Sequence, residues 1–361
     1  MSEKKKILHI VGTMQMGGQE TFIMNIFRNI DREKYEFGFV VHSDEKAYYE
    51  DEIEKLGGKI YRIKSISKNP IKHAMQLRKI IKQNNYEIMH RHTNTSIVFI
   101  DLLIGRLCRM KKVIVHSHSN VSSKFKTIHK IFRPLLNIFA TEKLACSKEA
   151  GYWLYGKRQK FIIVPNSIDI DKFKYNEEKR MLIRKENNCL NKKVLGHIGR
   201  FDKIKNQTFL VDIFEKIAEK NKNVELWFLG NGEEKENIEK KCKEKNIIDS
   251  VKFFGTVKDT YNFLQGMDLF VFPSIKEGLG IALIEAQVAG LTCVVSDTIQ
   301  KEAIISKNVI QLSIETKPEK WAEIILEQIE KSKNTKREIE KVVFKKYDIK
   351  ELVSKIEEIY Y

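Results

Sequence analysis

The stretch DLFVFPSIKEGLGIALIEAQVAGLTCVVS, residues 268–296, reads as strand, glycine loop, helix and second strand. A short apolar run ends at Phe272, Gly278 and Gly280 interrupt the pattern, apolar residues at helical spacing follow, and CVVS resumes an extended run. Two strands joined through a helix in this way pair in parallel. The same alternation extends in both directions. Strand-like runs stand at ILHIV (7–11), FGFVV (37–41), KIYRI (59–63), EIMH (87–90), VIVH (113–116), KLAC (143–146) and FIIV (161–164). They continue at VLGHIG (194–199), VELWFLG (224–230), VKFFG (251–255), DLFVF (268–272), CVVS (293–296) and VIQL (309–312). Helical segments such as QETFIMNIFRNI, IKHAMQLRKIIKQ and NQTFLVDIFEKIAEK lie between them. The pattern predicts two α/β domains, each built on a doubly wound parallel sheet.

A length of 361 residues suits two such domains. The charged, strand-poor stretch 168–193 is the expected linker, and the helical stretch 349–361 fits either half by pattern. Ligands of doubly wound domains bind beyond the carboxyl ends of the strands, so chemistry is to be sought in the loops there.

Composition excludes several classes. At 42% hydrophobic and 31% charged, the chain is an ordinary globular protein and not a disordered or collagenous one. Five cysteines without CxxC spacing suit a reducing compartment and argue against a zinc ribbon. The opening MSEKKKILHIV is too short in apolar length for a signal peptide, and Asp101 interrupts the best membrane-span candidate, SIVFIDLLIG. The net charge of +17 is uneven: residues 1–170 hold 30 Lys and Arg against 16 Asp and Glu, the remainder 35 against 32. A basic half attracts anionic membranes, phosphorylated ligands or nucleic acid, but no nucleic-acid-binding module is present.

Four loops carry candidate chemistry. Gly17 and Gly18 open a helix whose free N–H groups could receive a phosphate or sugar oxygen, or form only a tight turn; the segment is neither a P-loop nor GxGxxG. Arg200 and Lys205 follow VLGHIG and could converge on a diphosphate. Gly230 and Gly232 end another strand, either approaching a ligand or turning. Glu277 and Glu285 flank Gly278 and Gly280, placing two carboxylates around a helix start suited to phosphate.

Taken together, EGLGIALIEAQVAG, VPNSID (164–169), GRFDKIKN (199–206) and MGGQET (16–21) resemble glycosyltransferase family 4, whose members are retaining GT-B enzymes. HSHSN (116–120) resembles the branch that builds bacterial capsular polysaccharides and exopolysaccharides. The resemblance spans the chain, with PNS in place of the family's frequent PNG. It implies two Rossmann-like domains facing across a cleft: 1–170 with 345–361 for the acceptor, and 171–344 for a nucleotide sugar. It further implies that Glu277 contacts the transferred sugar and Glu285 the ribose, while Arg200 and Lys205 hold the diphosphate near Gly17. Gly278, Leu279, Gly280 and Ile281 would line the phosphates, Thr256 and Val257 would touch the base, and His118 would stand by the reacting sugar.

The expected activity is metal-independent transfer of a hexose or N-acetylhexosamine, from a nucleotide diphosphate sugar with UDP favoured, to a lipid-linked saccharide. No cofactor is expected beyond this co-substrate. A nucleotide-sugar 2-epimerase of the same fold, or an inactive partner subunit, is the alternative. Asp169-Ile-Asp171 is formally a DxD metal motif, but it stands in the presumed linker. The pairs His90/His92 and His116/His118 lack acidic or Cys companions at ligand spacing, and read as sugar contacts or as structural histidines. Finally, 121–140 carries Phe125, Ile128, Phe132, Leu135, Leu136 and Phe139 with Lys124, Lys126, Lys130 and Arg133 interleaved. Such a helix either lies on a membrane surface or faces the core with a wet basic side. The basic half favours the membrane, which places the protein in the cytoplasm at the inner face of the cell membrane.

Overall fold

Among the described residues, thirteen strands form where the thirteen apolar runs stand. The computed structural model describes residues 4–118, 126–277, 279–331, 337 and 343–361. One sheet contains β1 (Lys5–Ile10), β2 (Tyr35–Val41), β3 (Lys59–Arg62), β4 (Ile88–Thr93), β5 (Lys112–Ser117), β6 (Glu142–Ala145) and β7 (Ile162–Ile163), in the order β3-β2-β1-β4-β5-β6-β7. The other contains β8 (Lys193–Ile198), β9 (Val224–Leu229), β10 (Val251–Phe253), β11 (Leu269–Phe272), β12 (Thr292–Ser296) and β13 (Val309–Leu312), in the order β10-β9-β8-β11-β12-β13. The neighbours pair in parallel in both sheets. Each order reverses direction beside its first strand, at β1/β4 and at β8/β11. Those reversals leave the gaps at strand ends where doubly wound folds take ligands.

Two compact units result, 1–168 with 347–361, and 169–346. In the first unit, alternate strand residues serve opposite faces. Ile7, Phe37, Phe39, Ile88 and Ile114 cluster with Phe22, Ile26, Leu352 and Ile356 of the helices Gly18–Asn29 and Ile349–Tyr360. Leu8, Ile10, Val40, Met89 and Val113 join Leu77, Leu102, Leu136 and Leu154 on the other face. The chain re-enters this unit through paired backbone bonds, Ile168 N–H to Tyr347 O and Ile349 N–H to Ile168 O, each 2.9 Å.

Asp101, the residue that interrupts the apolar run, is fully buried. Its carboxylate meets Arg91 Nε at 2.7 Å and His73 Nε2 at 2.5 Å. Burial alone would raise its pKa; Arg91 and His73 overcome this and hold it below the usual carboxylate range.

The boundary between the units falls at 168/169, inside the stretch 168–193 where the sequence pattern predicts it, but the rest of that stretch is not a linker: it folds as the helices Ile170–Phe173 and Glu177–Glu186 and belongs to the body of the second unit. Its anchor is electrostatic: Arg180 and Arg184 meet the Asp268 carboxylate at 2.6 and 3.0 Å, and Asp268 also accepts from Val194 N–H at 2.8 Å. Attachment through charges on distant residues leaves no apolar periodicity to read. Asp268→Ala should strand two partly desolvated guanidinium groups and cost the second unit about 3–5 kcal/mol. Urea denaturation measures this, and a loss below about 1 kcal/mol would show that the stretch is held by something else.

Candidate functional site

In the second unit, the loops after β8 and β11 lie on either side of the strand-order reversal. The Asp202 carboxylate organises the first of them. Its Oδ1 accepts from the backbone N–H groups of Ile204 and Lys205, both at 3.0 Å. Its Oδ2 accepts from Arg200 Nε at 2.9 Å. The Arg200 side chain is otherwise 74% exposed, so its guanidinium is oriented yet open to a ligand. Lys205 turns the other way and reaches across to β11, placing Nζ 2.5 Å from Glu277 Oε1 and 5.2 Å from the Phe272 ring centroid. Both expected phosphate-binding cations therefore have a carboxylate partner. A lysine ammonium has three donors, so Lys205 can keep Glu277 and still serve an anion.

Beyond Glu277, Gly280 adopts φ 67° at the start of the helix Ile281–Val288. A side chain there would meet only ordinary contacts, so the left-handed backbone is what calls for glycine. Gly280 has no side chain to cap this helix, which leaves its first N–H groups open to ligand oxygens. Leu279 is buried and Ile281 half-buried, while Gly278 falls outside the described residues. Glu285 sits on the second turn. Burial pushes its pKa up to about 8, against a counteracting hydrogen bond from the Thr260 side chain. The ligand-free carboxyl is thus largely protonated at neutral pH, and hydroxyl donors from a ligand would favour its anion.

Thr256, exposed, and Val257, half-buried, follow β10. Gly230 and Gly232 have a structural explanation. A Cβ on Gly230 would lie 2.0 Å from Gly199 O, and one on Gly232 would lie 2.3 Å from Phe201 O. These glycines let the loop after β9 press against the loop after β8. His197, the buried penultimate residue of β8, is a polar residue beside these loops. Its Nδ1 meets Val271 O at 2.9 Å, while its Nε2 is buried without a partner. A histidine inside an apolar strand gives no periodic signal.

In the first unit, the loop after β1 leads to Gly17, extended at φ −164°, and to Gly18, the first residue of the helix Gly18–Asn29. A Cβ on Gly17 would stand 2.5 Å from Glu20 Oε2. Burial raises the pKa of that Glu20 carboxyl. The helix start thus has an acidic neighbour that an incoming anion would have to tolerate or protonate.

The strand-end histidines gather with one that the sequence did not single out, His9. His9 Nδ1 lies 3.0 Å from His92 Nε2, and His92 Nδ1 lies 2.8 Å from His118 Nε2. His90 Nε2 lies 3.3 Å from His116 Nδ1, and His90 Nδ1 lies 2.7 Å from the Tyr360 hydroxyl. Phe22 closes over His116 with its ring edge-on at 4.8 Å between centroids. Burial lowers the pKa of all five rings, to about 3 for His9 and His118, so they are neutral. Two sets of three, His9/His90/His92 and His92/His116/His118, bring ring nitrogens within 4.8 Å of one another. The DxD aspartates are otherwise engaged: Asp169 caps the helix Ile170–Phe173 by accepting from Lys172 N–H, and Asp171 pairs with Lys174.

The helix Lys126–Phe139 divides the expected apolar stripe in two. Leu136 and Phe139 pack into the core and Phe132 stacks on Phe99 with 4.9 Å between ring centroids, whereas Ile128, Ile131 and Ile138 are 38%, 62% and 68% exposed. Lys126 and Lys130 are exposed with them, and Arg133 is half-buried; Lys124 and Phe125 fall outside the described residues.

Comparison with known proteins gives this geometry a family. Residues 16–172 match the family model described as Glycosyltransferase Family 4, and residues 178–342 match the one described as Glycosyl transferases group 1. The chain is 31% identical to the glycosyltransferase EpsF of Bacillus subtilis (strain 168), over 90% of this chain and 88% of that one. It is 28% identical to the capsular polysaccharide biosynthesis glycosyltransferase CapH of Staphylococcus aureus, over 98% of each. Among solved structures, Anabaena Alr3699/HepE in complex with UDP and glucose superposes with a TM-score of 0.80 at 18% identity, covering 98% of this chain and 99% of that one. The chain belongs to glycosyltransferase family 4 and has the GT-B fold.

The state of Glu285 has a measurable consequence. Its folded-state pKa of about 8 exceeds the ordinary carboxyl value. Between the two values the folded protein binds more protons than the unfolded one, so this residue makes stability fall as pH rises through that window. Glu285→Gln removes the dependence. Thermal melts should show the variant gaining on wild type from pH 5 to pH 8 and then holding a constant lead. A difference independent of pH would mean that the carboxyl is not desolvated.

Proposed function

We propose that this glycosyltransferase moves a hexose or N-acetylhexosamine from a nucleotide diphosphate sugar, with UDP as the nucleotide, to a lipid-linked saccharide. Retention of anomeric configuration and a role in bacterial surface polysaccharide synthesis complete the reading. The observation that carries it is the Lys205–Glu277 pair, 2.5 Å long, set beside the uncapped helix start at Gly280. A diphosphate needs cations and N–H donors, and a sugar needs a carboxylate for its hydroxyls; here both lie at one strand-order reversal.

In this mechanism Arg200, Lys205 and the N–H groups from Gly280 and Ile281 take up the charge that builds on the departing diphosphate. Gly278 and Leu279 line the same phosphates, and the helix start at Gly17 and Gly18 in the first unit offers its own N–H groups to a ligand oxygen. Lys205 holds Glu277 in place while touching phosphate, so Glu277 is aimed at the transferred sugar. Glu285 accepts from the ribose hydroxyls, and the backbone at Thr256 and Val257 meets the base. His118, neutral at working pH, receives a hydrogen bond from the sugar or the proton of the acceptor hydroxyl. Protein cations do the work that a metal does elsewhere, so no metal is required.

A lipid-linked acceptor is supported by the helix Lys126–Phe139, where exposed isoleucines stand among lysines. Such a surface supports attachment of the enzyme at the inner face of the cell membrane.

Three measurements test the reading. Lys205→Ala should weaken UDP by about 1.5–3 kcal/mol in calorimetry, the range for a hydrogen bond to a charged group. Unchanged affinity in a folded variant would remove Lys205 from the diphosphate. Glu277→Gln should lose turnover with UDP affinity retained, whereas Glu285→Gln should weaken free UDP; equal effects on UDP would refute this division, and activity abolished by EDTA and restored by manganese would refute metal independence. Wild type should sediment with anionic liposomes at low salt and release as salt screens the attraction over about 8–10 Å. Replacing Lys126, Lys130 and Arg133 with Gln should prevent this, and wild type that ignores such liposomes would point to a soluble acceptor.

A further inference from the structure

Hydrogen bonds among five histidines of the first unit and Tyr360 form a single unbranched path. From one end it runs His118, His92, His9, Tyr360, His90, His116. Every ring nitrogen along it has a ring or phenol partner except the terminal two, His118 Nδ1 and His116 Nε2, which are buried; the Val164 backbone lies beside His116, whereas His118 Nδ1 has no neighbour of that kind among the described residues. The link from the Tyr360 hydroxyl to His9 Nε2 is 3.4 Å and the one from Tyr360 to His90 Nδ1 is 2.7 Å, so the phenol joins the two halves.

We infer that these five histidines and Tyr360 act as one hydrogen-bonded chain in which all five imidazoles share the same tautomer, and that the chain decides whether His118 Nδ1 offers an N–H or a lone pair. The first part rests on the contacts alone. The second rests on the reading of His118 as the residue beside the sugar. It makes Tyr360, His9, His90, His92 and His116 positioning residues.

The argument is a count of hydrogens. Five neutral imidazoles and one phenol bring one hydrogen each, six in all, and the path has five links that each need one. One hydrogen remains for two free ends. If it sits on His118 Nδ1, then His92 donates from Nδ1 to His118, His9 from Nδ1 to His92, and Tyr360 to His9. His90 then donates from Nδ1 to Tyr360 and His116 from Nδ1 to His90. Every ring is an Nδ1–H tautomer, and His116 Nε2 is bare. If the hydrogen sits on His116 Nε2, every link reverses, every ring is an Nε2–H tautomer, and His118 Nδ1 is bare. A mixed set would press two N–H groups, or two lone pairs, against each other, or would leave the Tyr360 O–H without an acceptor between two donating rings, and a buried polar mismatch of either kind is costly.

The position of the path explains how it persists. His9, His90, His92, His116 and His118 share strand parity with Ile7, Ile88 and Ile114, so they continue the core face of β1, β4 and β5 toward the strand ends. There they are covered by Phe22 and by the helix that carries Tyr360.

The test reads nitrogen-15 shifts of the histidine rings by long-range correlation NMR on the full-length, ligand-free protein. Wild type should give one tautomer for all five rings of the path, and a mixed set overturns the inference. Tyr360→Phe breaks the path between His9 and His90, so each half keeps its stranded N–H off the phenyl ring. The group His118, His92 and His9 should then adopt Nδ1–H and the pair His90 and His116 should adopt Nε2–H; a set that stays uniform overturns Tyr360 as the link. In transfer assays Tyr360→Phe should lower kcat by about 10-fold or more with UDP affinity unchanged. An unchanged kcat overturns the control of His118. The shifts are read without any sugar, so a wild type lacking transferase activity would count against the proposed function, whereas a mixed tautomer set overturns the chain whatever the activity.

Discussion

Parallel pairing governs this molecule. Parallel strands cannot be joined by tight turns, so each connection crosses over a sheet face, usually through a helix, and in both units the faces end up covered. Only the strand ends remain within reach of a ligand. That is why Arg200, Lys205, Glu277 and Gly280 come together, although 80 residues of chain separate the first from the last. The same burial imposes a rule on any polar residue that a strand does carry: it must find its partner inside. Asp101 finds Arg91 and His73, and the histidines of β1, β4 and β5 find one another.

How far the sequence could be read follows from the range of each interaction. Strands and crossover helices are local patterns of apolar spacing, and all thirteen runs appear as strands, from Lys5–Ile10 to Val309–Leu312. The positions of Glu277 before a helix and Glu285 on its second turn are also local and were legible. The role of 168–193 was not, because Asp268 holds it from far along the chain. Neither was His9, a single histidine in an apolar strand whose meaning depends on two strands that follow it by roughly 80 and 110 residues. The demand for glycine at 230 and 232 was visible as composition, but its cause, the backbone of Gly199 and Phe201, was not.

The site electrostatics reveal something that spacing cannot. Read from sequence, Arg200 and Lys205 are two cations awaiting an anion; in the fold each is already oriented by a carboxylate. A pre-paired lysine loses less conformational freedom when a phosphate arrives, since its position is already set. Because that ammonium has three donors, it can hold Glu277 and meet a phosphate at once, and in the proposed mechanism this couples the carboxylate to the diphosphate.

The charge imbalance between the halves can be followed in the same way. In the second unit, cations are matched to buried or half-buried acids: Arg180 and Arg184 to Asp268, Lys192 and Lys252 to Glu225, Lys241 and Lys245 to Asp212. In the first unit, Lys72, Lys79, Lys126 and Lys130 are exposed and form no ion pair among the described residues. They share their helices, Pro70–Asn84 and Lys126–Phe139, with Ile71, Met75, Ile131 and Ile138, each more than 60% exposed. Both helices pack through the helix Phe99–Leu107 onto one face of the sheet. Solubility would account for the lysines and chance for a single exposed isoleucine, but neither accounts for the two together on neighbouring helices. Cations interleaved with apolar side chains suit a surface that is anionic at its boundary and apolar beneath it, which is the chemistry of a lipid headgroup layer.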